Sequence, residues 1–260
     1  MECLAQLGLG TIGIGRAWGH VNPVVPSEDE AFAVLARAVA AGYRFFDTAP
    51  SYGWSEQRLG RFLQSSGSNG LTIATKFGEL WDFDRGETRV DHSYDGLCRS
   101  LDRSMELLGR IDVLQLHKTN PQVLRSPDLQ RAWSYAESLG IRRIGPSISD
   151  PESAEIAVAE PRYSVMQAPY NSTNRTFENV VRRGSDRGMT VVTNRPFAMG
   201  QLLHGEGLAT EADALSFVLS QRFNGVILAG SKNPQHIERN MIAFQQAVKT
   251  VSHPTRQSAR

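Results

Sequence analysis

Cysteine is scarce in this chain, and neither sign of charge is in excess. Only Cys3 and Cys98 occur among 260 residues, which excludes a disulfide framework and a cysteine-rich metal centre. Lysine and arginine number 28 against 27 aspartate and glutamate residues, so the formal net charge is +1. That balance gives no electrostatic support for binding nucleic acid or a membrane surface.

Long apolar runs and metal-binding spacings are also missing. No run approaches the ~20 apolar residues of a membrane-spanning helix, and residues 1–5 lack the layout of a signal peptide. The six histidines show no H-x-x-x-H spacing, so we expect no metal site. We therefore expect a cytoplasmic protein without nucleic-acid or membrane partners, and the sequence carries no signal for an oligomeric state.

Short β-rich runs alternate with helical patterns along the whole chain. The first long helix is expected to begin at Ser27, where Glu30 completes a capping box, and to end at Gly42. Later helices are predicted at about 55–65, 97–108, 127–139, 177–185 and 211–221, near 151, and from 234 onward. The predicted strands are 7–9, 43–47, 71–76, 111–117, 143–147, 163–167, 189–193 and 225–229.

Eight strand–helix units in one domain of this length predict an α/β fold, a single (β/α)₈ TIM barrel. We assign residues 1–251 to the barrel and 252–260 to a polar, disordered tail. A doubly wound open sheet remains an alternative, because alternation of strands and helices does not prove closure.

Polar side chains end five successive predicted strands. Taken singly, each of these residues has a structural explanation: an aspartate after a strand usually belongs to a turn, and a lysine is usually solvated. In a barrel, however, the carboxyl ends of all the strands meet at one end, where active sites lie, so their common placement favours a site. The five residues are Asp47, Lys76, His117, Ser147 and Gln167.

The chemistry of this set is consistent with reduction of a carbonyl group. Tyr52 follows Asp47 in the same loop, and its ordinary pKa of about 10 is high for an acid near neutrality. A neighbouring ammonium, such as that of Lys76 held by Asp47, favours the phenolate and lowers that pKa. Tyr52 could then donate the proton that accompanies hydride transfer, with His117 orienting the carbonyl oxygen.

At these residues the chain resembles the aldo-keto reductase superfamily. The segment FDTAPSYG at 46–53 is similar to the family's D-T-A-x-x-Y-G signature, and ATK at 74–76 and LH at 116–117 resemble its lysine and histidine segments. The resemblance implies that Tyr52 is the general acid, that Asp47 and Lys76 lower its pKa, and that His117 orients the carbonyl. Weaker similarity extends over about 7–248.

The resemblance also implies a nicotinamide cofactor. Asn233 and Pro234 form a good start for a helix after the last strand, and such a helix N-terminus binds phosphate. Lys232 adds a charge suited to a 2′-phosphate, which favours NADPH, although NADH is possible. The cofactor-binding residues implied by the resemblance are Ser147, Gln167, Arg195, Gly230, Ser231, Lys232, His236, Glu238 and Asn240.

Three positions depart from the family pattern. Ile148, Asn194 and His236 stand where many members have an asparagine, a stacking aromatic residue and an arginine, respectively. Each departure bears on cofactor affinity, and none removes a residue of the expected tetrad. The motif Gly8-x-Gly10-x-x-Gly13 matches a dinucleotide-binding fingerprint, but no helix is expected before Ser27, so we interpret these glycines as shaping a tight first strand and loop.

Three tryptophans are candidates for binding the substrate. Trp18, Trp54 and Trp81 lie in the loops after the first three strands, so we expect at least two of them to line an apolar pocket. Packing between the loops is the alternative explanation.

The predicted function is NADP(H)-dependent reduction of an aldehyde or ketone, with a small carbonyl compound as the partner. One alternative is a regulatory or accessory protein that binds the cofactor with little turnover. A second is the same catalyst run oxidatively, as a sugar or alcohol dehydrogenase. A third is an unrelated barrel lyase or isomerase, because fold alone does not define chemistry.

Overall fold

A computed structural model describes residues 5–19, 23–66, 69–203 and 209–252 of the chain. Eight parallel strands form its central sheet. They are β1 (Ala5–Gly10), β2 (Phe45–Asp47), β3 (Thr72–Phe77), β6 (Val113–Leu116), β7 (Arg143–Pro146), β8 (Val165–Pro169), β9 (Thr190–Asn194) and β10 (Gly225–Ala229). Two further strands, β4 (Glu79–Asp82) and β5 (Glu87–Val90), pair with each other in an antiparallel hairpin.

The parallel sheet closes on itself. Its hydrogen-bonded order is β7-β6-β3-β2-β1-β10-β9-β8. The two end strands meet where Ser147 and Gln167 form a parallel bridge, and the Ile148 N–H donates to the Gln167 carbonyl at 2.8 Å. The predicted (β/α)₈ barrel is therefore confirmed, and the open-sheet alternative is wrong.

The helices surround this barrel. They are α1 (Ile12–Gly15), α2 (Glu28–Ala41), α3 (Ser55–Ser66), α4 (Tyr94–Leu108), α5 (Pro121–Leu124), α6 (Pro127–Ser138), α7 (Pro151–Ala159), α8 (Glu178–Asp186), α9 (Glu211–Leu219) and α10 (Pro234–Ser252). The capping box of Ser27 and Glu30 starts α2, and Gly42 ends it with a φ of 101°, a conformation that favours glycine. None of the described helices is long and apolar enough to cross a membrane.

Two clusters of apolar side chains hold the layers together. The larger one fills the space between the strands and the helices, where Leu35, Leu59 and Trp133 are fully buried. The smaller one takes its residues from six of the strands and fills the barrel interior: Phe45, Ala74, Val113, Val165, Val192, Val226 and Leu228. A rigid, packed barrel of this kind fixes the positions of the strand ends.

The structure differs from the sequence prediction in two connections. The four-residue helix α1 follows β1 directly, so the expectation of no helix before Ser27 is wrong, although the long helix does begin there. The β4–β5 hairpin interrupts the predicted alternation between β3 and α4. The barrel's last helix runs to Ser252, and the rest of the predicted tail lies outside the described residues.

Candidate active site

A buried ion pair lies at the carboxyl end of the barrel. The Lys76 Nζ atom is 2.6 Å from Asp47 Oδ2, and both side chains are almost completely buried. Lys76 also donates to the Thr48 carbonyl oxygen at 3.0 Å. Burial alone would lower the pKa of Lys76, but the charge of Asp47, the influence of Tyr52 and the hydrogen bonds to both together raise it. Lys76 is therefore an ammonium at neutral pH at this end of the barrel.

Tyr52 lies against that ammonium. It ends a single turn of 3₁₀ helix at Pro50–Tyr52, and the Lys76 Nζ atom is 5.0 Å from the centre of its ring. Burial raises the pKa of Tyr52, and Lys76 opposes that rise through its charge and a side-chain hydrogen bond. The effect expected of Lys76 has the predicted sign, but burial outweighs it, so the pKa lies above the ordinary value. Tyr52 is consequently a protonated phenol at neutral pH.

The second carboxylate oxygen of Asp47 organises an amide network. Gln115 Nε2 and Gln167 Nε2 donate to Asp47 Oδ1 at 3.4 Å and 3.3 Å. Ser147 Oγ donates to Gln167 Oε1 at 3.1 Å. The strand ends carrying Asp47, Lys76, Ser147 and Gln167 therefore meet through direct contacts. Gln115 joins them although the sequence analysis did not select it, because it precedes the end of its strand.

His117 is held by a carboxylate that the sequence analysis missed. Its Nδ1 atom is 2.8 Å from Glu79 Oε2 and 3.3 Å from Ser51 Oγ, and its ring meets the Tyr52 ring edge to face, with centroids 6.0 Å apart. Burial alone would raise the pKa of Glu79, but hydrogen bonds from His117 and Thr88 and the charges of Lys118 and of His117 when protonated together lower it to about 2. Burial lowers the pKa of His117, even though Glu79 opposes the change. A neutral ring beside a carboxylate carries its proton on Nδ1.

The hairpin explains how Glu79 reaches this position. Gly78, with a φ of 94°, turns the chain directly after β3, and a Cβ atom there would lie 2.7 Å from the His92 ring. Glu79 then opens β4 and is 4% exposed, with its other oxygen 3.5 Å from Lys118 Nζ. The turn Asp82–Gly86 between two β-rich runs is a hairpin signal that could have located this element.

The predicted phosphate site lies where β10 leads into α10. Ser231 Oγ accepts from the Asn233 N–H at 3.1 Å and lies 3.3 Å from His236 Nδ1. Lys232 Nζ donates to the Val24 carbonyl at 3.2 Å. A Cβ atom on Gly230 would lie 2.4 Å from the Gly10 carbonyl oxygen, so glycine allows this loop to pack on the end of β1.

The remaining predicted cofactor residues are spread around this region. Asn240 is buried within α10, whereas Glu238 is exposed and 3.5 Å from Arg37 of α2. Arg195 is exposed with a φ of 57°, and its carbonyl accepts from Asn171 Nδ2 at 2.8 Å. Glu238 thus forms an ion pair with a neighbouring helix. The backbone at Arg195 is held next to the end of β9 by its hydrogen bond from Asn171.

The three tryptophans make contacts between the loops. Trp54 packs on Phe83 of the hairpin turn, with ring centroids 4.4 Å apart. Trp18 and Trp81 both lie against the guanidinium of Arg16, at 5.1 Å and 4.8 Å. Trp18 is 36% exposed and Trp54 is 46% exposed. The loops after β1, β2 and β3 therefore form one aromatic rim beside Tyr52.

The polar groups at this end fit a nicotinamide dinucleotide. Among the described residues, the buried atoms Gln115 Oε1 and Asn194 Oδ1 have no hydrogen-bond partner. An amide N–H₂ such as that of a carboxamide would satisfy an acceptor of this kind. The N-terminus of α10, with Ser231 and Lys232, has the donors and the positive charge that a phosphate requires.

Comparisons with known proteins give the family. The model of the aldo/keto reductase family matches residues 6–213, so the chain belongs to that family. Aldo-keto reductase str7 of Strobilurus tenacellus is 28% identical over 207 residues, which are 76% of this chain and 60% of that protein. D-threo-aldose 1-dehydrogenase of a Pseudomonas species is 32% identical over 203 residues, which are 64% of this chain and 59% of that protein. The chain thus covers about three fifths of the length of these relatives.

Solved structures agree on the fold. Aldo-keto reductase AKR11C1 of Bacillus halodurans superposes with a TM-score of 0.77 at 20% identity, covering 94% of this chain and 91% of that one. Glycerol dehydrogenase AKR11B4 of Gluconobacter oxydans gives a TM-score of 0.77 at 22% identity, covering 96% and 90%. Because both identities are below 25%, these two structures show only that the chain shares their barrel fold.

Proposed function

We propose that the chain is an NADP(H)-dependent oxidoreductase that interconverts a carbonyl compound and its alcohol, with Tyr52 as the proton donor in reduction. The observation that carries this proposal is the Lys76 ammonium, buried 2.6 Å from Asp47 Oδ2 and lying against the Tyr52 ring. A buried ammonium beside a phenol alters the phenol's pKa, and titratable groups perturbed in this way cluster at functional sites.

Tyr52 and Lys76 divide the work of proton transfer. Tyr52 stays protonated at neutral pH because burial raises its pKa. As the carbonyl oxygen gains negative charge, the phenol can give up its proton, and the adjacent Lys76 ammonium stabilises the resulting phenolate. Asp47 holds Lys76 in place through one oxygen and the amides of Gln115 and Gln167 through the other.

The cofactor would bind across the other half of the barrel end. Ser147, Gln167 and Asn194 would hold the carboxamide, and Ser231 with the N-terminus of α10 would hold the phosphate. When bound, NADPH supplies the hydride that this set of residues lacks. The charge of Lys232 favours NADPH over NADH, because only NADPH carries a 2′-phosphate.

Oxidation of an alcohol is a second candidate, and the contact between His117 and Glu79 favours it. A neutral His117 with its proton on Nδ1 has a lone pair on Nε2, which accepts a hydroxyl proton but cannot donate to a carbonyl. His117 could donate to a carbonyl oxygen only as an imidazolium, which the Glu79 carboxylate would stabilise. A related protein bears the name D-threo-aldose 1-dehydrogenase, which is consistent with oxidation.

The test of the mechanism is Tyr52→Phe. We expect aldehyde reduction to fall by about 10²–10⁴-fold, while NADPH affinity stays within about twofold, because Tyr52 lies on the opposite half of the barrel end from the proposed cofactor contacts. A panel of aldehydes, ketones and alcohols would be followed at the cofactor's absorbance, with affinity from fluorescence titration. Tyr135→Phe removes a hydroxyl from the outer helix α6 and is the matched control.

Two results would contradict the proposal. If wild-type protein is active and Tyr52→Phe keeps most of that activity, another group donates the proton. If wild-type protein binds NADPH tightly and turns over nothing in the panel, the regulatory or accessory function takes its place.

A further inference from the structure

Arg16 lies at the aromatic rim with its charge unbalanced. It follows α1, and its Nη1 atom donates to the Ser51 carbonyl at 3.0 Å. Trp18 and Trp81 lie against the guanidinium from two different loops. Within the described parts of the chain, Arg16 forms no ion pair, although 15 ion pairs occur there.

The neighbouring charges at this end of the barrel are already compensated. Lys76 is paired with Asp47, and the Glu79 carboxylate lies between His117 and Lys118. Arg16 is therefore the positive charge left over next to Tyr52, whose hydroxyl is the proposed proton donor. The partly buried guanidinium has two aromatic contacts and one hydrogen bond but no carboxylate partner among the described residues. An anion that approaches its free donors is therefore bound favourably.

The guanidinium is also held close to the reacting groups. Its hydrogen bond goes to Ser51, the residue before Tyr52, and the Ser51 hydroxyl is 3.3 Å from His117 Nδ1. Burial lowers the pKa of Arg16, and the negative charge of the nearby Glu79 opposes this change. A substrate whose carbonyl reached Tyr52 would therefore have its far end near Arg16.

Within the described residues, most of the hydrogen-bonding capacity of Arg16 is unused. A guanidinium has five N–H donors, and one protein acceptor, the Ser51 carbonyl, is found for Arg16 in the described residues. Its planar fork matches a carboxylate through two parallel hydrogen bonds. The indoles of Trp18 and Trp81 add apolar surface for the carbon skeleton of such a ligand.

We propose that Arg16 binds the carboxylate of an anionic substrate, so that this site takes oxo acids or formyl acids and the corresponding hydroxy acids. Trp18 and Trp81 hold Arg16 in place and cover the substrate between its carboxylate and its reacting carbon. This inference rests on the proposed oxidoreductase function and adds a substrate class to it.

The experiment compares two aldehydes that differ in one group, which is a carboxylate in the first and its neutral methyl ester in the second. 4-Carboxybenzaldehyde is anionic, and methyl 4-formylbenzoate is its neutral ester. We expect wild-type protein with NADPH to have the higher kcat/KM for the acid. Arg16→Met should lower that value by about 10- to 100-fold, mainly through KM, because a charge-assisted hydrogen bond is lost. The value for the ester should fall much less than the value for the acid, because the ester has no charge for the guanidinium to bind.

Two further variants sharpen the comparison. Arg16→Lys keeps the positive charge but cannot form two parallel hydrogen bonds to a carboxylate. Its kcat/KM for the acid should therefore lie between those of wild-type protein and Arg16→Met. Arg85→Met removes an exposed arginine from the hairpin turn and should affect neither aldehyde. Equal losses for the acid and the ester in Arg16→Met, or a wild-type preference for the ester, would overturn the inference.

A binding measurement separates this inference from the proposed function. If wild-type protein turns over nothing in the panel of aldehydes, ketones and alcohols, these two aldehydes and their benzyl alcohols included, the proposed function fails. Calorimetric titration with benzoate and with neutral benzamide, in the presence of NADPH, still tests Arg16. We expect benzoate to bind at least about tenfold more tightly than benzamide, and Arg16→Met to remove that difference. No preference for benzoate in wild-type protein would overturn the inference.

Discussion

His117 and Glu79 show how one buried carboxylate can set the chemistry of a neighbouring ring. Glu79 Oε2 lies 2.8 Å from Nδ1 and fixes which nitrogen of His117 carries the proton. The charges that act on His117 are those of Lys76, which lowers its pKa, and of Glu79 and Asp47, which raise it. Removing the Glu79 charge therefore leaves Lys76 and burial to lower the pKa of His117 further.

We predict that Glu79→Gln narrows the pH range of carbonyl reduction. If only the imidazolium donates to the carbonyl, kcat/KM falls as pH rises through the pKa of His117, and this fall begins at lower pH in the variant. A shift of one pKa unit lowers kcat/KM about tenfold on the alkaline side. The measurement is kcat/KM against pH in both reaction directions.

The control for this prediction is Glu87→Gln, an exposed carboxylate on the second strand of the same hairpin. Its pH profile should match that of wild-type protein. An unchanged alkaline limb in Glu79→Gln would mean that Glu79 supports the hairpin without acting on His117.

At the scale of elements, α3 carries a buried carboxyl group that the proposed reaction does not use. Glu56 is 2% exposed and accepts a hydrogen bond from Thr75 Oγ1 of β3 at 2.5 Å. Burial raises the pKa of Glu56 from 4.5 to about 7. The folded protein therefore holds this proton over a range in which the unfolded chain releases it.

Glu56 should thus make the barrel less stable as pH rises. Its favourable contribution is fully present below the unfolded pKa of 4.5 and is lost as pH rises through about 7. We predict that Glu56→Gln, which stays neutral, is more stable than wild-type protein at pH 8, by up to roughly 3 kcal/mol, and that the difference falls below about 1 kcal/mol near pH 5.

Urea unfolding at pH 5 and pH 8 would measure this difference. Glu106→Gln, on the exposed face of α4, is the control and should show no such dependence. An equal change in the free energy of unfolding at both pH values would show that folding does not raise the pKa of Glu56.

At the scale of the molecule, the proposed site divides the barrel end into two halves. The strands β2, β3 and β6 with the hairpin contribute the proton-transfer groups, whereas β7 to β10 and α10 contribute the proposed cofactor contacts. The closing bridge between Ser147 and Gln167 lies within the cofactor half, and the hydrogen bond from Gln167 to Asp47 joins that half to the other. Binding of a dinucleotide across this closure would stabilise the whole fold.

We predict that NADPH raises the thermal midpoint of unfolding more than NADH does, and that Lys232→Ala removes most of this difference. Loss of one charge contact to a phosphate weakens binding about tenfold or more. Thermal shift measurements with both cofactors at equal concentration would test this. If Lys232→Ala reduced the rise in thermal midpoint equally with NADPH and with NADH, Lys232 would support the loop through its contact with Val24.

The sequence by itself determined the strand ends and therefore most of the proposed tetrad. Asp47, Lys76 and His117 stand at the ends of apolar runs, and parallel strands in a barrel bring such ends together whatever the loops do. The Ser27 capping box and Gly42 were equally readable, because they depend on contacts within a few residues.

Only the tertiary structure decided what surrounds those residues. Closure of the barrel depends on a bridge between residues 147 and 167, and the contact of Glu79 with His117 depends on a hairpin folding back across the barrel end. The unbalanced charge of Arg16 and the raised pKa of Tyr52 follow from burial among several loops. Such effects arise from the summed positions of groups far apart in the chain, which no local pattern encodes.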